Sequence, residues 1–184
     1  MRSSFRRLIP LLTLLAMTWL LFASSAQAEA YDSEKIVLPA VSDRSRYNDP
    51  SVEAALMDKL RSQFRFPKYE IITTEALSGE ANRATLEKIV AEKSADGVVS
   101  IEINKLRNRS WILKDESFEE TSLTLTLSFI NKKTGQYGQF RVNRAVTELM
   151  SIHSGPVSIA KDAMDELLKR LNPVFPRQSA GPRY

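Results

Sequence analysis

Apolar and polar residues alternate along Ser122–Phe129, with Leu123, Leu125, Leu127 and Phe129 on one side and Thr124, Thr126 and Ser128 on the other. A period of two predicts a strand with one buried and one polar face. Lys132-Lys-Thr-Gly135 reads as a turn, and Phe140, Val142, Arg144 and Val146 return as its antiparallel partner, so 122–147 is expected to be a hairpin with Gly135 in the turn. Upstream, Val98-Val-Ser-Ile-Glu-Ile103 predicts another strand. Continued alternation places Lys105, Arg107 and Arg109 on the face of Val99, Ile101 and Ile103, as a basic arm leaving the core.

Other segments change period. Val52, Leu56, Leu60 and Phe64 recur every four residues behind Asp49-Pro50, an N-cap followed by proline at the first helical position, and Pro67 ends that helix. Leu86, Ile89 and Val90 mark a second helix over 84–93. Ala160, Ala163, Met164, Leu167, Leu168 and Leu171 mark a third after Gly155-Pro156, with Lys169 and Arg170 at the negative end of its dipole and Pro173 and Pro176 beyond it. The apolar runs 35–41 and 69–74 predict two further strands, and Pro39 puts the end of the first at an edge or a bulge. The order is β-α-β-α-β-β-β-α: an α/β (α+β) fold with one mixed sheet of about five strands and three helices, its first three strands parallel or mixed and the hairpin antiparallel.

The N-terminus has a different pattern. A basic stretch ending in Arg6-Arg7, an apolar run from Leu8 to Phe22 and the small-residue run Ala23-Ser-Ser-Ala-Gln-Ala28 form a secretory signal peptide cleaved after Ala28. Leu8–Ala23 is short for a membrane span and is interrupted by Pro10, so no stable span is expected after cleavage. The expected organisation is a leader over 1–28, a polar lead-in over 29–34, one domain over 35–172 and a disordered tail over 173–184. A periplasmic or secreted location follows.

The leader changes the charge arithmetic. The 184-residue chain has 26 Lys and Arg against 22 Asp and Glu, a net +4, but removing Arg2, Arg6 and Arg7 leaves 23 against 22, or +1. A nearly neutral domain does not support general electrostatic binding of nucleic acid. A composition 43% apolar and 26% charged is that of a folded globular domain. With no cysteine there is no disulfide, no thiol nucleophile and no site for bacterial lipid attachment. One histidine, His153, and no cysteine give no expected zinc site, and neighbouring Ser151 and Ser154 lie in no nucleophile-elbow motif. Glycine-rich phosphate loops are also missing from the sequence, so no cofactor is expected.

The segment 35–41, the Asn48-Asp49-Pro50 helix start and Ala95-Asp96-Gly97-Val98-Val99 before a strand and hairpin resemble the exported α/β modules of bacterial envelope-assembly proteins. Examples are the amino-terminal domain of the Tol system's periplasmic propeller protein, the curli secretion lipoprotein and outer-membrane activators of penicillin-binding proteins. The resemblance spans Lys35 to Leu171 and implies a binding or assembly unit without catalysis. This chain departs from several of those proteins in lacking a lipidated cysteine, a propeller and a pore-forming extension.

Three groups are candidates for function. Lys105, Arg107 and Arg109 precede the acidic Asp115, Glu116, Glu119 and Glu120, a pattern that suits ion-paired arms, a partner-binding arm or, in a cleft, a carboxylate pair for glycoside hydrolysis. Trp111 between them suits core or edge packing, or contact with a protein or glycan. Arg44, Arg46 and Tyr47 follow the first strand, where open α/β sheets bind ligands; there they form either a solvated loop or a grip for a small anion or peptide. The expected role is a non-catalytic exported module contacting an envelope protein or a cell-wall component. A carboxylate-dependent hydrolase of wall or polysaccharide material and a structural protein self-associating through a sheet edge are the alternatives.

Overall fold

In the computed structural model, contacts divide the chain into Met1–Asp32 and Ser33–Tyr184, and residues 32–151 and 154–178 are described. The leader, its cleavage site, His153 and residues 179–184 lie outside the described residues.

The elements run β1 Glu34–Pro39, β2 Ser42–Asp43, α1 Pro50–Gln63, β3 Tyr69–Thr74, α2 Arg83–Glu92, β4 Gly97–Leu113, β5 Glu116–Asn131, β6 Gln136–Leu149 and α3 Gly155–Leu171. They form one mixed sheet in the order β3-β1-β4-β5-β6, with β2 also pairing β4. β1 is parallel to β3 and β4, while β4, β5 and β6 are antiparallel. The expected α/β class and the three helices are present. The sixth strand is the two-residue β2, too short and polar to leave a periodic signal.

Local chemistry starts the helices where the pattern placed them. The Asp49 carboxylate accepts from the backbone N–H of Ser51 at 2.9 Å and of Val52 at 3.3 Å, and Asn82 accepts from Thr85 N–H at 2.9 Å. α1 and α3 cover one sheet face, where Leu56, Leu60, Met164 and Leu167 meet Val99, Ile101, Leu125 and Leu127. α2 covers part of the other with Leu86 and Val90 against Val37, Val98 and Ile130. Pro39 lies in an interior strand. Between Val37, opposite Val98, and Ser42, opposite Glu102, β1 and β2 hold one residue more than β4, so the bulge reading applies and the edge reading does not.

Two expectations are corrected. The pairing of β4 with β5 shifts between Ile103 and Lys105, with Asn104 as an extra residue. Because the side-chain period is two, this insertion moves Lys105, Arg107 and Arg109 off the face of Ile103 and turns Leu106 onto it, where it is buried opposite Leu123. The second correction concerns the C-terminus. Pro173 ends α3, but the chain does not leave the domain there: Phe175 is 1% exposed and stands edge-on to Phe64 and Phe129. Gln63 donates to its carbonyl at 2.7 Å, Asn131 to that of Val174 at 3.2 Å, and Tyr69 to that of Pro176 at 3.0 Å. Residues 173–177 therefore belong to the domain.

Candidate functional site

β4 and β5 are seventeen and sixteen residues long, longer than the helices beside them can cover, and their distal halves with β6 form a three-stranded arm. On the sheet face opposite α1 and α3, its rungs are Lys105–Thr124–Asn143, Arg107–Ser122–Ala145, Arg109–Glu120–Thr147 and Trp111–Phe118–Leu149. The three cations are exposed and stand in one column, about 7 Å apart at two residues per step. The column ends at an aromatic platform, where Trp111 stacks on Phe118 with ring centroids 6.1 Å apart and planes 17° apart. Trp111 remains 39% exposed, so it both packs and faces solvent.

The tip is apolar. Ile112 is 74%, Leu113 56% and Met150 57% exposed, and Trp111, Ile112 and Met150 line a depression of about 450 Å³ with Ser110 and Ser117. Lys114 and Asp115 make the turn with φ of 49° and 67°, as a two-residue hairpin loop requires. The sequence shows Trp111 next to Ile112 and Leu113, but not that Met150 joins them at an exposed tip.

The acidic residues do not mirror the basic ones along the arm. Of the arm's acids, Glu120 lies directly opposite a cation, Arg109, whereas Lys105 and Arg107 face Thr124 and Ser122. Glu119 lies on the other face and accepts from the side-chain amide of Asn108, which in turn accepts from Thr121 at 3.0 Å. Glu116 and Glu120 share the cation face but are four residues apart with Phe118 between them, about 13 Å along the strand.

The loop after β2 divides its residues. Arg44 continues the strand: its N–H donates to Ile103 O at 2.9 Å and its guanidinium pairs with Glu102 at 3.0 Å, on the face of the cation column. Glu102 also accepts from Asn104, whose carbonyl accepts from Thr126 at 2.7 Å, so the bulge is braced by side chains. Arg46 and Asn48 have positive φ, and Tyr47 is 44% exposed. Asp43 accepts from Ser45 N–H at 2.6 Å and Asn48 N–H at 3.1 Å. Burial, followed by the charges of Asp43 and Asp49, raises the Glu53 pKa.

A cleft of about 500 Å³ between the ends of α1 and α3 is lined by groups that satisfy one another: Lys59 pairs with Asp165 at 2.7 Å, and Asn172 accepts from Gln63 and from Arg177 N–H. No described helix is long and apolar enough to cross a membrane.

No family profile and no curated protein matches the sequence. Among solved structures, a dodecamer of a PelC variant from Paraburkholderia phytofirmans overlaps at 15% identity and TM-score 0.49, covering 76% of this chain and 89% of that one. Lipoprotein GNA1162 from Neisseria meningitidis overlaps at 12% identity and TM-score 0.47, over 76% and 99% of the respective chains. Protein CT253 from Chlamydia trachomatis overlaps at 10% and 0.49, over 76% and 95%.

Proposed function

We propose that this protein is an exported, non-catalytic binding module of the bacterial envelope and that the arm is its contact surface for an acidic protein partner. The leader pattern over 1–28 supports export to the periplasm or beyond. The observation that carries the binding role is the column of Lys105, Arg107 and Arg109 ending at the Trp111–Phe118 stack, exposed on a sheet face that no described helix covers there. Arginine and tryptophan are the residue types that dominate binding energy at interfaces, and a column of like charge sets both partner sign and encounter rate. The Arg44–Glu102 pair extends the same face toward the domain.

Phe118 standing between Glu116 and Glu120, and the opposite facing of Glu119, weigh against a carboxylate-pair hydrolase. The test is a cross-linked capture of the tagged protein from its own envelope fraction, beside an Arg107→Ala, Arg109→Ala, Trp111→Ala variant. Loss of a partner with the variant supports the arm. An unchanged partner set overturns it.

A further inference from the structure

Resting on that reading of the arm, we propose that the partner is bound by strand addition: the outer edge of β4 from Leu106 to Ile112 takes up an extended peptide segment with acidic residues at alternate positions. β4 is paired on both sides only as far as Ile103, whose carbonyl accepts from Arg44 N–H at 2.9 Å. Beyond it, among the described residues, β4 pairs with β5 alone.

The pairing fixes which backbone groups point outward. Lys114 and Asp115 are the two residues of the hairpin loop, so Leu113 and Glu116, which flank it, exchange both backbone hydrogen bonds. Alternating back along β4, Trp111, Arg109 and Arg107 bond to β5, while Ile112, Ser110, Asn108 and Leu106 turn their N–H and C=O to the free edge. Two other contacts agree. Ser117, opposite Ile112, gives its carbonyl to Met150 N–H at 2.8 Å on the β6 side. Ile103 already points away from β5, and the extra residue Asn104 converts that odd-numbered outward set into the even-numbered one. The arm thus offers an incoming strand four donors and four acceptors in a row.

Charge selects the occupant. Side chains of a strand added here stand beside Lys105, Arg107 and Arg109 on one face, and like charges directly opposite are destabilising. A second copy of the chain fits poorly: on the corresponding face the β6 edge carries Arg141, Asn143, Ala145 and Thr147, and the β3 edge carries Glu70, Ile72 and Thr74. Neither brings a run of alternate acids. An acidic extended segment of another protein does, with an apolar residue to meet the Trp111 platform.

The test is residue-resolved amide exchange on the full chain with a nine-residue probe alternating glutamate and threonine. Strand addition slows exchange at Leu106, Asn108, Ser110 and Ile112 at least tenfold at saturation and leaves Arg107 and Arg109, already bonded to β5, within twofold. Ser110→Pro removes one outward N–H without touching the β4–β5 ladder and weakens the probe about tenfold. N-methylation of one alternate set of probe amides abolishes binding, while methylation of the other set leaves it within twofold. Equal binding of both methylated probes, or binding without alternating protection, overturns strand addition and leaves the arm as a charged contact face. No binding of the probe also overturns it. Protection that grows with protein concentration in the absence of probe assigns the edge to a second copy instead. The arm reading itself fails separately, through the capture experiment.

Discussion

Ile103 and Lys105 are two residues apart on one strand and yet project from opposite faces of the sheet. The cause is one inserted residue, Asn104, held by its hydrogen bonds with Glu102 and Thr126. The same insertion sets which face carries the cations and which backbone amides reach the free edge, so the arm's chemistry depends on it.

Deleting Asn104 alone leaves Lys105 directly after Ile103, outward, and Leu106 still in the core, whereas deleting Asn104 and Lys105 together puts Leu106 directly after Ile103 and so onto the outer face. Burying a leucine is worth about 1.5 to 3 kcal/mol. Chemical denaturation is therefore expected to show the double deletion less stable than the single deletion by at least about 2 kcal/mol, and equal stability of the two contradicts the assigned facing.

Phe175 locks the C-terminal segment onto the sheet. Phe175→Ala is expected to cost about 3 to 5 kcal/mol, and a chain ending at Asn172 is expected to lose stability comparably, while one ending at Gln178 keeps it. Gly97→Ala presses the same ring from its other side, since an added Cβ lies 3.0 Å from the Phe175 ring and 2.9 Å from Ile130 O. About 1 to 3 kcal/mol is the expected loss. Urea midpoints across the set check all four variants.

Burial, reinforced by the Glu34 charge, pushes the Tyr69 phenol up to about 12 from an ordinary value of 10.0. The folded state thus holds this proton more tightly than the unfolded state. Its contribution to stability is complete below pH 10 and is lost as pH rises through that window toward 12. Tyr69→Phe removes this contribution, so the thermal midpoint of the variant is expected to fall less steeply between pH 10 and 12 than that of the parent. Parallel slopes contradict the assignment.

Much of the fold was legible because its signals are periodic and local. The four-residue stripe from Val52 to Phe64 is buried as patterned, the alternating Leu123 to Phe129 face is buried while Thr124 and Ser128 on the other face are buried as well, and Asp49 caps the helix it precedes. The bulge was harder to read, yet Leu106 marks it: it is apolar one position out of phase with Val99, Ile101 and Ile103. Val174-Phe175 between two prolines carried a comparable signal for the C-terminal segment. The division of the Arg44–Tyr47 loop left no sequence signal, because it follows from how β2 rejoins β4 after its own bulge.

Capture from the envelope fraction with two variants side by side, Arg107→Glu with Arg109→Glu and Arg46→Ala with Tyr47→Ala, tests the arm as the contact surface. Charge reversal on the arm is expected to abolish the cross-linked partner while the loop variant retains it. Retention by the arm variant with loss in the loop variant would overturn that assignment and move the contact to the loop after β2.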